Sequence, residues 1–535
     1  MRQRIIYFIS ILTIVFSCQR PSQKDIGESL QRLLESSEAD SLLMRIYEER
    51  NFKPIWINSG GLKKRAENYF NELDQIAYDG LNKEDYILEN QQKLLEEVDE
   101  SSDPEIHAIL EMAISQSFLN LASDLNIGKI NPSAVNISWE MTRKTPTAEY
   151  EEALRSVGQG QSIARSLDEL RPQHAQYRAL RALLEELLSQ APSHSKMVKA
   201  IQGKIELGDS HEAVPSIREK LVLLGDLPDN YRGEGEEYDD HLLDAVKRFQ
   251  HRHGLIADGV IGTDFMAAIN YNNSDLITKI KVNLERLRWL PDFTSGEDPR
   301  VIVNIPDFRL YYMEEKDTLF ESRVVVGKNY RQTPVFKAEM TYLVFSPTWT
   351  LPETILWEDV IPAIQKDVSY LETNNMKVYD PEEQEVDVEE IPWEALEVDE
   401  DFPYFIRQEP GGMNPLGKVK FMFPNDYSIY IHDSPARELF SQDNRTFSSG
   451  CIRMENPTEF ARILLEGTDW DEEKIRAAMD AGEEERVVLA EGKDVWILYL
   501  SVWDGGESIE MRKDIYDMDR KLAEALSLPV SEHFL

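Results

Sequence analysis

The apolar residues of this chain change their period near residue 300, and the change limits what each part can fold into. From about Leu30 to Ile205 they recur at helix spacing: Leu42, Leu43, Ile46 and Tyr47 form one stripe, and Leu110, Ala113, Phe118 and Leu121 another. Asp79-Gly-Leu-Asn-Lys-Glu-Asp-Tyr86 and Gly128-Lys-Ile-Asn-Pro132 punctuate those helices as turns. From Arg300 onward, short β-branched and aromatic runs replace the stripes, at 301–305, 309–313, 323–326, 340–345, 419–423, 428–432 and 495–500. A chain of 535 residues has room for several domains at about 100–200 residues each. The expected fold class is α+β and multi-domain, a mostly helical scaffold followed by a mixed-β domain.

A compact module interrupts the helical part over 207–273. Val214, Ile217, Leu221 and Leu224 make one helical stripe and Leu242, Val246 and Phe249 a second. Asp258-Gly-Val-Ile-Gly262 supplies a tight turn, and Thr263 is placed to cap a third helix. His251 and His253, at i,i+2 spacing, point apart on a helix and read as surface residues. The helical pattern resumes from Leu276, so the module is inserted into a scaffold of 30–206 and 274–298. The mixed-β domain spans 299–505, with a C-terminal strand and helix over 506–535. Within it, residues 351–403 form an acidic insertion with a helical stretch near Glu358 to Leu371. A structureless loop of that length is unusual in a compact domain, which favours a cap subdomain.

A net charge of −40, from 58 basic and 98 acidic residues, argues against nucleic acid as a partner. Residues 1–18 read as an export signal: Met1-Arg-Gln-Arg4, an apolar run from Ile5 to Phe16, then Ser17-Cys18. The run is shorter than the roughly 20 residues a membrane span needs. Val15-Phe-Ser-Cys18 resembles a lipobox, which would make Cys18 an acylated anchor and 19–29 a tether. The mature chain is then expected in the periplasm of a Gram-negative type of envelope, held to a membrane by its lipid.

With Cys18 lipidated, Cys451 is the remaining thiol, since the chain has 2 cysteines. It lies in Arg445-Thr-Phe-Ser-Ser-Gly-Cys-Ile-Arg453, and His432, upstream of it, is the one histidine between His253 and His533. An acyl transfer through sulfur needs a thiolate, a proton carrier and donors aimed at the developing oxyanion. Cys451, His432 at the end of a strand, and the consecutive amides of Ser449, Gly450 and Cys451 supply those three. Arg453 adds positive charge that favours a thiolate or holds a carboxylate. On residue types alone, the plainer reading stands beside this one: an inert buried thiol and a structural histidine. One histidine in 254–532 leaves too few ligands for a typical catalytic zinc, and no cofactor is called for.

Residues Ile217 to Leu224, Ala245-Val-Lys-Arg-Phe-Gln250, Gly254-Leu255 and the Asp258-Gly-x-x-Gly262 turn resemble the peptidoglycan-binding domain. Tyr430-Ile-His-Asp-Ser-Pro435 followed by Phe447-Ser-Ser-Gly-Cys-Ile-Arg453 resembles the signature of L,D-transpeptidase catalytic domains. Trp289-Leu-Pro291, Val303-Asn-Ile-Pro306, Tyr330-Arg-Gln-Thr-Pro334, Asn414-Pro-Leu-Gly417 and Lys420-Phe-Met-Phe-Pro424 are similar to runs in the larger, multi-domain members. Many members carry histidine immediately before the Gly-Cys pair, where this chain has Ser449.

The resemblance implies a two-step reaction on peptidoglycan stem peptides and glycan. Cys451 would form a thioester with release of D-alanine, and a neighbouring stem amine would take the acyl group, giving a diaminopimelate-to-diaminopimelate cross-link. It makes His432 the base and acid, places the oxyanion hole at the Gly450 and Cys451 amides, gives Arg453 and Ser449 to support of the turn, and has Tyr430 lining the site. It further implies that carbapenems acylate Cys451. Two other readings stay open: a carboxypeptidase or endopeptidase with water as acceptor, and a non-catalytic wall-binding lipoprotein.

Overall fold

The computed structural model of the chain describes residues 20–36, 41–87, 91–141, 148–189, 197–228, 230–231, 233, 235–293, 298–397 and 402–529. The export signal and Cys18 lie outside these residues, as do 398–401 of the cap and 530–535. The described residues divide into two compact units, one within Met1–Lys129 and Lys144–Gln173 and the other within Ile130–Arg143 and His174–Leu535. No described helix is long and apolar enough to cross a membrane.

The first unit is helical and built about Pro104–Ile127. Pro104 suits the first turn, where its missing N–H has no partner to lose, and the Asp103 side chain accepts from Glu105 N at 2.9 Å. Glu111 on this helix is fully buried. It accepts the backbone N–H groups of Ile55, Trp56 and Ile57 and the Tyr47 hydroxyl, while burial keeps its pKa above the ordinary carboxyl value. The segment 19–29, expected as a tether, is helical from Gln23 to Ser36 where it is described. Ile26, Leu30 and Leu34 fall on one face and are buried, so the apolar stripe begins earlier than the polar composition suggested.

The second unit holds three separate apolar cores. The module has helices Val214–Leu223, Asp240–Arg252 and Thr263–Ile269 around Ile217, Leu221, Val246, Phe249 and Phe265. Thr263 is the first helical residue and not the cap; Gly262 holds the cap position without a side-chain bond. His253 is packed, not a surface residue: its ring stacks on Phe249 with centroids 3.8 Å apart, and Nδ1 bonds Phe249 O at 2.8 Å.

A nine-stranded mixed sheet carries the main core. Its strands are β1 (Arg300–Asn304), β2 (Arg309–Glu314), β3 (Asp317–Gly327), β4 (Phe336–Phe345), β5 (Val419–Met422), β6 (Ile431–His432), β7 (Thr446–Ser448), β8 (Ile452–Met454) and β9 (Glu485–Leu498). They are ordered β7-β3-β8-β6-β5-β4-β9-β1-β2, and β2 also pairs with β3, so the sheet curls back on itself. The seven sequence runs each contain or overlap a strand; β7 and β8, three residues each, had no such run. Segment 130–141 packs on this core: Trp139 meets Trp289 edge-on at 4.9 Å and bridges to Val335.

Within the insertion 351–403, Leu356, Trp357, Val360, Ile364 and Trp393 form a core of their own together with Ile406 of the strand that follows. Helix Glu353–Ile355 runs through a π-helical turn, Leu356–Val360, into Ile361–Lys366. Strands Trp349–Thr350 and Met376–Tyr379 flank Phe405–Gln408 in a small sheet.

Candidate active site

Two short parallel strands bring the predicted residues together. In β6 and β8, Ile431 pairs with Ile452 and His432 with Arg453, and Ile452 N donates to Tyr430 O at 3.0 Å. Alternate side chains of a strand face opposite ways, so one face takes Ile431 and Ile452, both fully buried in the main core. The other face takes Tyr430, His432, Cys451 and Arg453. The register sets Cys451 beside Tyr430 and Arg453 beside His432, leaving Cys451 and His432 as diagonal neighbours, about 7 Å apart at Cβ.

Cys451 is partly exposed and unbridged. Its Sγ lies 3.7 Å from Ser428 O, with the Tyr430 hydroxyl beside it and the Trp349 side chain next to that hydroxyl. Among the described residues no hydrogen bond joins the sulfur to His432. Catalytic hydrogen bonds are often long before substrate arrives. Burial pushes the thiol up to about 11, against the pull of Tyr430 and the positive charge of Arg453. His432, 3% exposed, is pushed down to about 3 by burial and then by Arg453. Its Nδ1 lies 2.6 Å from Asp433 O. A carbonyl only accepts, so Nδ1 carries the proton and Nε2 the lone pair. The Leu416 carbonyl also favours the protonated ring.

The turn before the sulfur is held from beneath. Gly450 has φ +116, and a Cβ there would lie 3.1 Å from Ile429 Cδ1, so this position needs glycine. Thr333 Oγ1 donates to Gly450 O at 2.7 Å and accepts from Gly327 N at 2.9 Å. Ser448 Oγ accepts from Gly450 N at 3.2 Å and donates to Cys451 O at 2.6 Å. Among the described residues the Cys451 N–H has no acceptor. Ser449 is exposed, and its Oγ accepts from Arg331 Nη1 at 2.9 Å. Arg453 makes no ion pair among the described residues, and its buried Nε has no partner there.

All six residues expected at the site thus fall on one face or the turn above it. Sequence reasoning missed Thr333, Ser448, Trp349 and Arg331. Two of them lie in the Tyr330-Arg-Gln-Thr-Pro334 run that carried the resemblance, and that run was the available signal.

Residues 298–476 match the model of the L,D-transpeptidase catalytic domain, residues 210–269 that of a "Putative peptidoglycan binding domain", and residues 41–184 that of a scaffold domain. Three separate stretches of the chain thus match domain models, the L,D-transpeptidase catalytic domain being the longest of them. A Haemophilus influenzae protein described as "Putative L,D-transpeptidase" is 35% identical over 249 residues, which cover 46% of this chain. The aligned part spans 50% of that relative's length. An L,D-transpeptidase structure from Xylanimonas cellulosilytica is 13% identical, with TM-score 0.18, covering 56% of this chain and 99% of its own. One from Stackebrandtia nassauensis is 12% identical, with TM-score 0.20, covering 58% and 97%. Likeness that slight carries no argument about the site.

Proposed function

We propose that the protein is a peptidoglycan L,D-transpeptidase working through a Cys451 thioester. The observation that carries the reading is the shared face of Tyr430, His432, Cys451 and Arg453, within residues that match the catalytic-domain model.

The sulfur attacks the diaminopimelate carbonyl of a tetrapeptide stem while its proton passes to His432 Nε2. The imidazolium so formed is favoured by the Asp433 and Leu416 carbonyls. The new oxyanion takes the Cys451 N–H and, in exchange for Ser448 Oγ, the Gly450 N–H. Unpaired Arg453 steadies the negative charge on sulfur and then on oxygen. Collapse breaks the C–N bond, and His432 returns its proton to the departing D-alanine amine. A side-chain amine of a second stem then attacks the thioester, gives its proton to His432, and leaves the diaminopimelate-to-diaminopimelate link. The proton finally returns to sulfur.

Module 210–269 holds the enzyme to its polymer, and the cap, which follows directly on strand Trp349–Thr350 beside Tyr430, gates the donor cleft. The same reading puts the protein in the cell envelope, with Cys18 as a lipid anchor. The test is mass spectrometry of products from purified stem peptides, with Cys451→Ala alongside. Cross-linked dimers and free D-alanine, both absent from the variant, are expected. Trimmed monomers alone would replace transfer with hydrolysis, and cross-linking by the variant would leave only a wall-binding protein. A carbapenem is expected to add its mass to Cys451.

A further inference from the structure

Arg331 stands on the loop between β3 and β4, and the reaction just described gives it nothing to do. Nη1 donates to Ser449 Oγ at 2.9 Å and to Asp359 Oδ2 at 3.0 Å, while Nη2 contacts the Glu358 carboxylate. Both acids belong to the cap helix, at the π-helical turn Leu356–Val360. Ser449 immediately precedes the Gly450-Cys451 amides. One guanidinium therefore spans the cap and the nucleophile turn.

The arrangement is not a loose surface pair. The Arg331 side chain is 11% exposed, against 57% and 55% for Glu358 and Asp359, and its buried Nε has no partner among the described residues. The guanidinium is a planar fork that meets several acceptors in fixed directions, whereas an ammonium is a point charge on a flexible stem. The same loop is tied to the turn a second time, through Thr333 Oγ1 on Gly450 O. With the cap seated, Ser449 is fixed from the side and Gly450 from beneath. With the cap displaced, Arg331 loses both carboxylates and only Ser449 Oγ remains to direct it.

We propose that Arg331 is a positioning residue that couples the seating of the cap to the shape of the Ser449-Gly450-Cys451 turn. The inference rests on the transpeptidase reading of Cys451 and assigns the cap a part in forming the oxyanion site as well as in covering it. The hydroxyl at 449 is the acceptor this coupling requires.

The experiment uses the full chain with a stem tetrapeptide ending in D-alanine, and reads kcat, KM, alkylation of Cys451 by iodoacetamide, and limited proteolysis of the cap. Arg331→Ala is expected to lower kcat about tenfold to a hundredfold, the scale of a misplaced catalytic group, while alkylation stays within about twofold. Arg331→Lys should recover only part of kcat. Glu358→Gln with Asp359→Asn, at exposed positions that do not threaten folding, should raise KM and speed cleavage within the cap. Wild-type kcat and KM in Arg331→Ala, or unchanged KM and cleavage in the double variant, overturns the inference alone. A wild-type enzyme that releases no D-alanine overturns the transpeptidase reading, and this inference with it.

Discussion

At the scale of single residues, the resting pair is neutral on both sides. The thiol lies at about 11 and the imidazole at about 3, so no thiolate-imidazolium pair stands ready near neutral pH. On the proposed function the proton moves as charge forms on the substrate oxygen, and rate would then depend on the amide donors more than on sulfur already ionised. The low value for His432 also bears on stability. Unfolded histidine binds a proton below about 6.5, whereas folded His432 resists it until about 3. The unfolded state thus holds more protons in that window. Its contribution to stability is complete above about 6.5 and is lost as the pH falls toward 3. His432→Gln lacks this dependence. Wild type should lose up to about 2 kcal/mol relative to the variant between pH 7.5 and 5, read as diverging Tm values; parallel Tm curves would count against a buried neutral imidazole. At Gly450 the limit is backbone geometry. Gly450→Ala places a Cβ against Ile429 Cδ1 at a φ of +116, at a cost of about 1–3 kcal/mol. If the turn moves to relieve that strain, D-alanine release should fall about a hundredfold, as on losing an oxyanion donor. A variant with wild-type Tm and rate would show the turn to be tolerant.

At the scale of elements, the face that carries the candidate site was partly legible in the sequence. The alternation Tyr430-Ile431-His432 is a period-2 signal, and a glycine before Cys451 announces a turn. The partner strand was not readable, because three residues carry no period and β8 finds β6 only through long-range pairing. Thr333 and Arg331 escaped for a related reason: they act from an irregular loop where side-chain direction follows no repeat. The insertion 351–403 reads in the sequence as acidic and too long to lack structure, and the core around its Trp357, Val360, Ile364 and Trp393 is separate from the sheet's. Removing 351–403 leaves Trp349–Thr350 and Phe405–Gln408, already antiparallel partners, to be joined by a short turn. The shortened protein should fold with the catalytic sheet intact and bind the donor stem with a raised KM. Calorimetry and steady-state kinetics check this; an unchanged KM would remove the cap from the donor cleft.

At the scale of the whole molecule, the sequence reading and the contacts divide the chain differently. Helical periodicity runs on from Leu30 to Ile205, yet Ile137, Trp139 and Met141 belong to the sheet core. Nothing local marks them, since the segment is short and its partners, Trp289 and Val335, are distant in sequence. Net charge, by contrast, is fully written in the sequence, and on the proposed function it sets how the protein would meet a polymer bearing stem-peptide carboxylates. A chain of charge −40 is repelled by such a surface as a whole, even where a local patch binds it. The repulsion reaches about 30 Å at 0.01 M salt and about 8 Å at 0.15 M, whereas apolar and hydrogen-bonded contacts are little screened. Binding to purified sacculi should therefore strengthen as salt rises from 0.01 to about 0.15 M, measured by co-sedimentation. Binding that weakens steadily over that range would mean that a cationic footprint dominates contact with the wall, and that net charge is the wrong guide to it.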